Sequence, residues 1–311
     1  MGDMLGVLEG FATLAAIIVV GYLVGRSGVL GDHAQYVLGR VAFFVLSPFF
    51  LFTVLAEADL HVLFSGLLPV SFLAAVLAAA LFAVIVRLFF AQAASQLVIG
   101  MLASGYTNAG YIGIPVALYV LGEPAYAAPI TLVQLLVFAP VALAALDMQR
   151  RGSVSVRRIL VQPVTNPIIL GSVLGLLVAL LGAELPQLVM EPAHVIGAAA
   201  VPVVLLAFGM SLHGRTPLAA GTARAEVVLA TVMKLVVMPV VAWLVGWFVF
   251  GLHGQALFAV VLLAALPTAQ NVYNYAQRYD LGVVLARDVV FLTTVLSPVA
   301  LVAVAALLAP R

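Results

Sequence analysis

The sequence predicts an all-α integral membrane protein with ten transmembrane helices. They form a five-plus-five inverted repeat with broken crossover helices four and nine. Three observations predict this. Hydrophobic residues make up 65% of the 311 positions and charged residues only 8%, against about 45–50% and about 25% in ordinary soluble domains. Basic residues fall in alternate loops. Prolines recur at nearly one spacing in the two halves.

The apolar runs give ten segments, at roughly 5–25, 34–56, 63–87, 95–121, 125–147, 166–182, 193–213, 225–250, 255–278 and 283–309. Each is near the roughly 20 residues that a helix needs to cross hydrocarbon. They are too long for barrel strands of about 9–11 residues and lack period-2 alternation. Helices satisfy the backbone within one segment, so helices are expected. The first segment is read as a retained helix, because Met1-Gly2-Asp3-Met4 lacks the basic start of a signal peptide. The expected organisation is a first repeat over 1–148, a cytoplasmic linker over 149–165 and a second, inverted repeat over 166–311.

Charge placement supports this count. The odd-numbered loops hold Arg26, Arg87, Arg150, Arg151, Arg157, Arg158, Arg215, Arg224, Arg278 and Arg287, with Arg40 nearby. The even loops and both ends hold Arg311 as their basic residue, with Asp3, Glu57, Asp59, Glu123, Glu184 and Glu191. Basic loops stay cytoplasmic, so the chain is expected to be multi-pass in the cytoplasmic (inner) membrane with both termini outside.

The repeat rests on prolines. Pro48 and Pro202 are offset by 202 − 48 = 154, Pro115 and Pro267 by 267 − 115 = 152, and Pro140 and Pro298 by 298 − 140 = 158. A unit of five helices, repeated in tandem, enters the membrane in opposite senses, a common construction in secondary transporters. Chance matching of membrane-helix prolines is the plainer alternative.

The chemistry is expected where segments four and nine break. Segment four reads Gly105-Tyr106-Thr107-Asn108-Ala109-Gly110-Tyr111-Ile112-Gly113-Ile114-Pro115. Proline removes a donor and clashes with the previous turn, so the helix is expected to stop near Asn108 and restart at Pro115. Segment nine reads Pro267-Thr268-Ala269-Gln270-Asn271-Val272-Tyr273-Asn274. Its amides cost several kcal/mol if left bare in lipid, so they must face protein or a watery cavity. Two half-helix starts aimed at one break would favour an anion. The candidate site residues are Asn108, Tyr111, Gly113, Pro115, Pro267, Thr268, Gln270, Asn271 and Asn274, with Tyr106 and Tyr273 as walls. A pair of kinks patched by neighbouring side chains is the structural alternative.

Lys234 is read as an ionisable residue deep inside a span, hence a functional candidate. It either compensates charge, by countering a substrate carboxylate or standing in for a coupling cation, or caps an unwound carbonyl. Glu9, Asp147 and Glu226 are read as interfacial. His33, His61, His194, His213 and His253 fall in loops or at span ends and show no metal-ligand spacing. The chain has no cysteine and a net charge of +1, so thiolate chemistry and nucleic-acid partners lack support. No cofactor is expected.

Four motifs carry a family resemblance. Asn108 to Pro115, Asn166-Pro167-Ile168-Ile169-Leu170-Gly171, Pro202 to Leu212 with Gly209-Met210-Ser211, and Pro267-Thr268-Ala269 followed by Asn271 resemble, in this order, signatures of the auxin efflux carrier family. That family holds the plant PIN auxin carriers and bacterial malonate-carrier-like permeases. The resemblance implies a scaffold domain, a transport domain, elevator-like alternating access and organic-anion substrates. It also implies that Asn108, Pro115 and Pro267 are crossover residues. Two departures stand out: the halves are joined by a short linker rather than a long cytoplasmic loop, and segment three carries Ser71 but no embedded acid. Both point away from auxin itself.

The expected function is therefore a secondary transporter of a small organic anion, a carboxylate, with lipid as the solvent of its outer surface, which permits a homodimer. A sodium-coupled symporter of the bile-acid type is the alternative within transport. A sodium/proton antiporter would need buried carboxylates in segments four and nine, which hold none before Asp280. A membrane-embedded enzyme is the alternative from another class. It would need paired acids for a metal or a nucleophile beside a base, and no span supplies either.

Overall fold

A computed structural model describes residues 2–31, 33–58, 66–90, 96–151, 161, 165–213 and 224–310. Twelve helical stretches follow one another there. They are α1 (Gly2–Ser27), α2 (Ala34–Ala56), α3 (Leu67–Phe89), α4 (Leu97–Gly105), α5 (109–119), α6 (Pro124–Arg150), α7 (Pro167–Leu181), α8 (Gln187–Ser211), α9 (Arg224–Val249), α10 (Gly254–Ala264), α11 (Gln270–Tyr279) and α12 (Val283–Leu308). Six of them, α2, α3, α6, α8, α9 and α12, are long and apolar enough to cross a membrane, and shorter apolar helices accompany them. The chain is thus an all-α, multi-pass membrane protein. Asp59, His61, Arg157, Arg158, Arg215, Arg311 and most of the linker 149–165 lie outside the described residues.

The prolines act differently from the sequence reading. In four places a π turn ends two residues before a proline: 42–46 before Pro48, 109–113 before Pro115, 134–138 before Pro140 and 233–237 before Pro239. A proline inside a helix lacks a donor and collides with the carbonyl four residues back. A wider turn just before it shifts that carbonyl out of the way, so the helix bulges rather than stops. The expected extended stretch from Asn108 to Pro115 is therefore wrong. The chain is helical again from Ala109, and Pro115 lies inside α5.

The helices pack in two groups. In one, α1 lies along α8 and α2 along α7 and α8. Backbones come close at Gly21 and Gly209, where an added Cβ would overlap the main chain of Leu206 and of Ile18. Small residues give membrane helices this approach, where dispersion rather than water drives association. In the other group, α3 packs on α4, α6, α9 and α10, while α12 packs on α9, α10 and α11. The stretch α5 lies between the groups, touching α1 and α8 on one side and α6 on the other.

Two of the acids read as interfacial are buried in protein. Asp147 is 1% exposed and accepts a hydrogen bond of 3.0 Å from the Tyr279 hydroxyl. Glu226 is also buried. Asp288, also buried, accepts one of 2.8 Å from Nε of Arg287. At the other end of the molecule His194 pairs with Glu57 at 2.9 Å.

Candidate functional site

The two interruptions meet. Between α4 and α5 the backbone is extended at Tyr106–Asn108, and between α10 and α11 it is extended through Pro267–Ala269. The two pieces lie antiparallel, with Thr107 opposite Thr268. The Asn108 amide donates to the Pro267 carbonyl at 2.8 Å, and the Ala269 amide donates to the Tyr106 carbonyl at 3.0 Å. Each break thus supplies partners for the other's polar groups, which no water in the hydrocarbon could do. Proline fits at 267 because the ladder uses only its carbonyl.

Side chains fasten the second interruption further. Thr268 donates its hydroxyl to the Ala103 carbonyl at 2.6 Å, and its amide donates to Thr293 Oγ1 at 3.1 Å. Lys234, fully buried, donates Nζ to the Ala264 carbonyl at 2.7 Å, at the C-terminal end of α10. A cation is favourable there, where unsatisfied carbonyls give the helix end a partial negative charge. In the first interruption Thr107 donates Oγ1 to the sulfur of Met238 at 3.8 Å, a weaker contact.

Beside this crossing lies a cavity of about 40 Å³ lined by Ser47, Tyr106, Asn108, Gln134, Gln270 and Asn271 among others. It has room for a few waters. A second small cavity, about 50 Å³, also reaches Asn108 and Gln270. A wider one, about 420 Å³, runs from Gln270, Asn271, Tyr273 and Asn274 to the start of α2. The structure thus brings Asn108, Gln270 and Asn271 together and leaves Asn274 on the wider cavity. Pro267 and Thr268 hold the backbone. Gly113 packs beneath Leu266. Pro115 and Lys234 line none of these cavities. The side chain of Tyr111 lies outside the described residues.

Sequence reasoning missed Gln134. It sits in the π turn of α6, 4% exposed, and its side-chain nitrogen has no partner among the described residues. The Tyr106 hydroxyl, on the same cavity, is also buried, beside Asn271 and Tyr275. The signal was present: a glutamine inside an apolar run carries the same cost in lipid that singled out Gln270. Among the described residues no three His, Cys, Asp or Glu side chains gather as a metal site would require.

One family model, described as membrane transport protein, matches residues 7–158 and 146–304. The chain belongs to this membrane transport protein family, that of the auxin efflux carriers. Two matched stretches meeting near the middle fit an internal repeat in this membrane transport protein. An uncharacterized transporter of Methanocaldococcus jannaschii is 22% identical over 287 residues, covering 90% of this chain and 92% of the relative. An uncharacterized transporter of Methanothermobacter thermautotrophicus is 25% identical over 308 residues, covering 96% and 97%. A Rhizobium meliloti protein named "Putative malonate transporter" is 31% identical over 202 residues, covering 63% and 62%. The protein is therefore a membrane transporter rather than an enzyme.

Proposed function

We propose that this transporter carries a small organic anion, a carboxylate, by elevator-like alternating access, with its site where the two interruptions cross. The antiparallel pairing of Tyr106–Asn108 with Pro267–Ala269 carries the reading. It sets the starts of α5 and α11 beside one cavity. Each start carries the partial positive charge of a helix N-terminus, which favours an anion without an arginine. Asn108, Gln270 and Asn271 add directional bonds, and the side-chain nitrogen of Gln134 adds another. The malonate named for the Rhizobium relative is a small carboxylate of this class.

In this reading α4 with α5, and α10 with α11, are each one interrupted span, which gives ten spans in two inverted repeats of five. The group of α1, α2, α7 and α8 is the scaffold, and the group around the crossing moves against it. The basic loops put both termini outside. The Lys234 amine is tied to the end of α10, where a symporter would need a mobile cation. Purified protein in vesicles should take up labelled malonate or a related short carboxylate at a rate unchanged when choline replaces sodium. Uptake that requires sodium favours the symporter alternative. No uptake of any short carboxylate overturns the proposal.

A further inference from the structure

The wider cavity has a feature that the crossing does not use. Its outer wall is the start of α2, where Arg40 stands among Gln35, Tyr36, Phe43 and Phe44. The guanidinium lies 4.9 Å from the Phe44 ring centre and 5.7 Å from that of Tyr36, and Nη1 donates to the Tyr36 hydroxyl at 3.0 Å. Aromatic faces hold such a group by cation–π attraction. Only one of its five donors is thereby engaged. Arg40 meets no carboxylate among the described residues, and no acid lines the cavity. At its inner end the same cavity reaches Gln270, Asn271 and Asn274. A volume of about 420 Å³ falls within the range of about 300–1,000 Å³ typical of small-molecule sites.

A charge of one sign in a cleft with low-dielectric walls concentrates counter-ions and raises their rate of arrival. The planar fork of arginine fits a carboxylate through two parallel hydrogen bonds, which a lysine cannot reproduce. Arg40 and Ser47 are seven residues apart on α2, about 10 Å along the axis at roughly 1.5 Å per residue, and Ser47 lines the inner cavity. The backbone of Arg40 thus stands nearer the end of α2 than the crossing does, with the wider cavity running between them.

We propose that Arg40 is the capture residue of this transporter, holding the substrate's carboxylate in the wider cavity before it moves on to Asn271 and Gln270. The inference rests on the carboxylate reading above. It assigns Arg40 a role in loading from one face of the membrane and none in the crossing itself. It also specifies the ligand: the substrate must offer a free carboxylate to a planar donor pair, so esters and amides of the same acid should load poorly from this face.

The test is initial-rate uptake of labelled malonate into vesicles holding the full chain in either orientation, for wild type, R40Q and R40K. From the face carrying Arg40, R40Q should raise KM about tenfold, as expected for loss of a charge-assisted hydrogen bond, with kcat unchanged. The wild-type rate from that face should fall with added salt, and that dependence should flatten in R40Q. From the opposite face KM should not change. R40K, which keeps the charge but loses the fork, should fall between wild type and R40Q. A merely structural role for Arg40 would change both faces alike. A KM for R40Q that is unchanged, or raised equally from both faces, overturns the inference while wild-type uptake leaves the carboxylate reading standing. A wild type inert toward malonate and other short carboxylates from both faces overturns the carboxylate reading, and this inference with it.

Discussion

The two interruptions do the same thing by different means. The first, at Tyr106–Asn108, contains no proline, and the proline downstream of it is absorbed by a π turn inside α5. The second holds Pro267 in the break itself and is fastened by Thr268, Thr293 and Lys234. The residues that face each other are the two threonines, offset by 268 − 107 = 161, whereas the prolines are offset by 267 − 115 = 152. Proline therefore marks where a helix is strained, but its surroundings decide whether the strain becomes a break or a bulge. The facing threonines and the prolines thus mark registers nine residues apart, the difference between 161 and 152.

The largest expected effect probes what the interruptions share. Asn108→Ala with Asn271→Ala removes one amide from each side of the crossing. Each hydrogen bond to a charged ligand contributes about 1.5–3 kcal/mol, so malonate uptake should fall by roughly 100-fold or more while the protein still folds. Uptake within a few-fold of wild type would remove these asparagines from the site.

The next probes where they differ. Pro267→Ala restores a donor inside the second break and lets α10 compete to run on into α11, so uptake should drop about tenfold, roughly 1.4 kcal/mol. Pro115→Ala merely allows the π turn of α5 to relax, and uptake should stay within about twofold, under roughly 0.5 kcal/mol. Equal losses would mean that both prolines make the breaks, as the sequence alone implied.

The smallest effect compares the facing threonines. Thr268→Val removes the hydroxyl that donates to Ala103, and its buried setting predicts a loss of about 1–3 kcal/mol in thermal unfolding. Thr107→Val gives up only a weak contact to the Met238 sulfur and should cost less than about 1 kcal/mol. A reversed order would contradict the account of which interruption is the more tightly fastened.

What the sequence made legible follows from range. Spans were legible because lipid imposes a local rule, about 20 apolar residues with charges at the ends. The breaks were legible to within a few residues because glycine, proline and amides cluster there. Their pairing was not, since Asn108 and Pro267 find each other across the fold. The partner of Lys234 lies 30 residues away in sequence, so a cap and a coupling cation read alike. Gln134 was readable by the rule applied to Gln270, but it stands alone among apolar neighbours, whereas Gln270 has Asn271 and Asn274 close by in sequence. Arg40 read only as a topology marker, because its aromatic neighbours Tyr36 and Phe44, four residues to either side, meet it only once α2 is wound. Asp147 looked interfacial near the end of its span, but its partner Tyr279 comes from another helix.

The pairing of the two interruptions is tested most directly by cross-linking in the membrane. The chain has no cysteine of its own, so Thr107→Cys with Thr268→Cys introduces the only pair. Facing residues in this antiparallel arrangement have Cα atoms about 4.5 Å apart, within the range of about 4.4–6.8 Å that a disulfide spans. Mild oxidation should join residues 107 and 268 in one chain, while Val120→Cys with Thr268→Cys, its first cysteine just past the far end of α5, should stay reduced. Failure of the 107–268 link, or an equal yield from the 120–268 pair, would contradict the crossing on which the transport site is built.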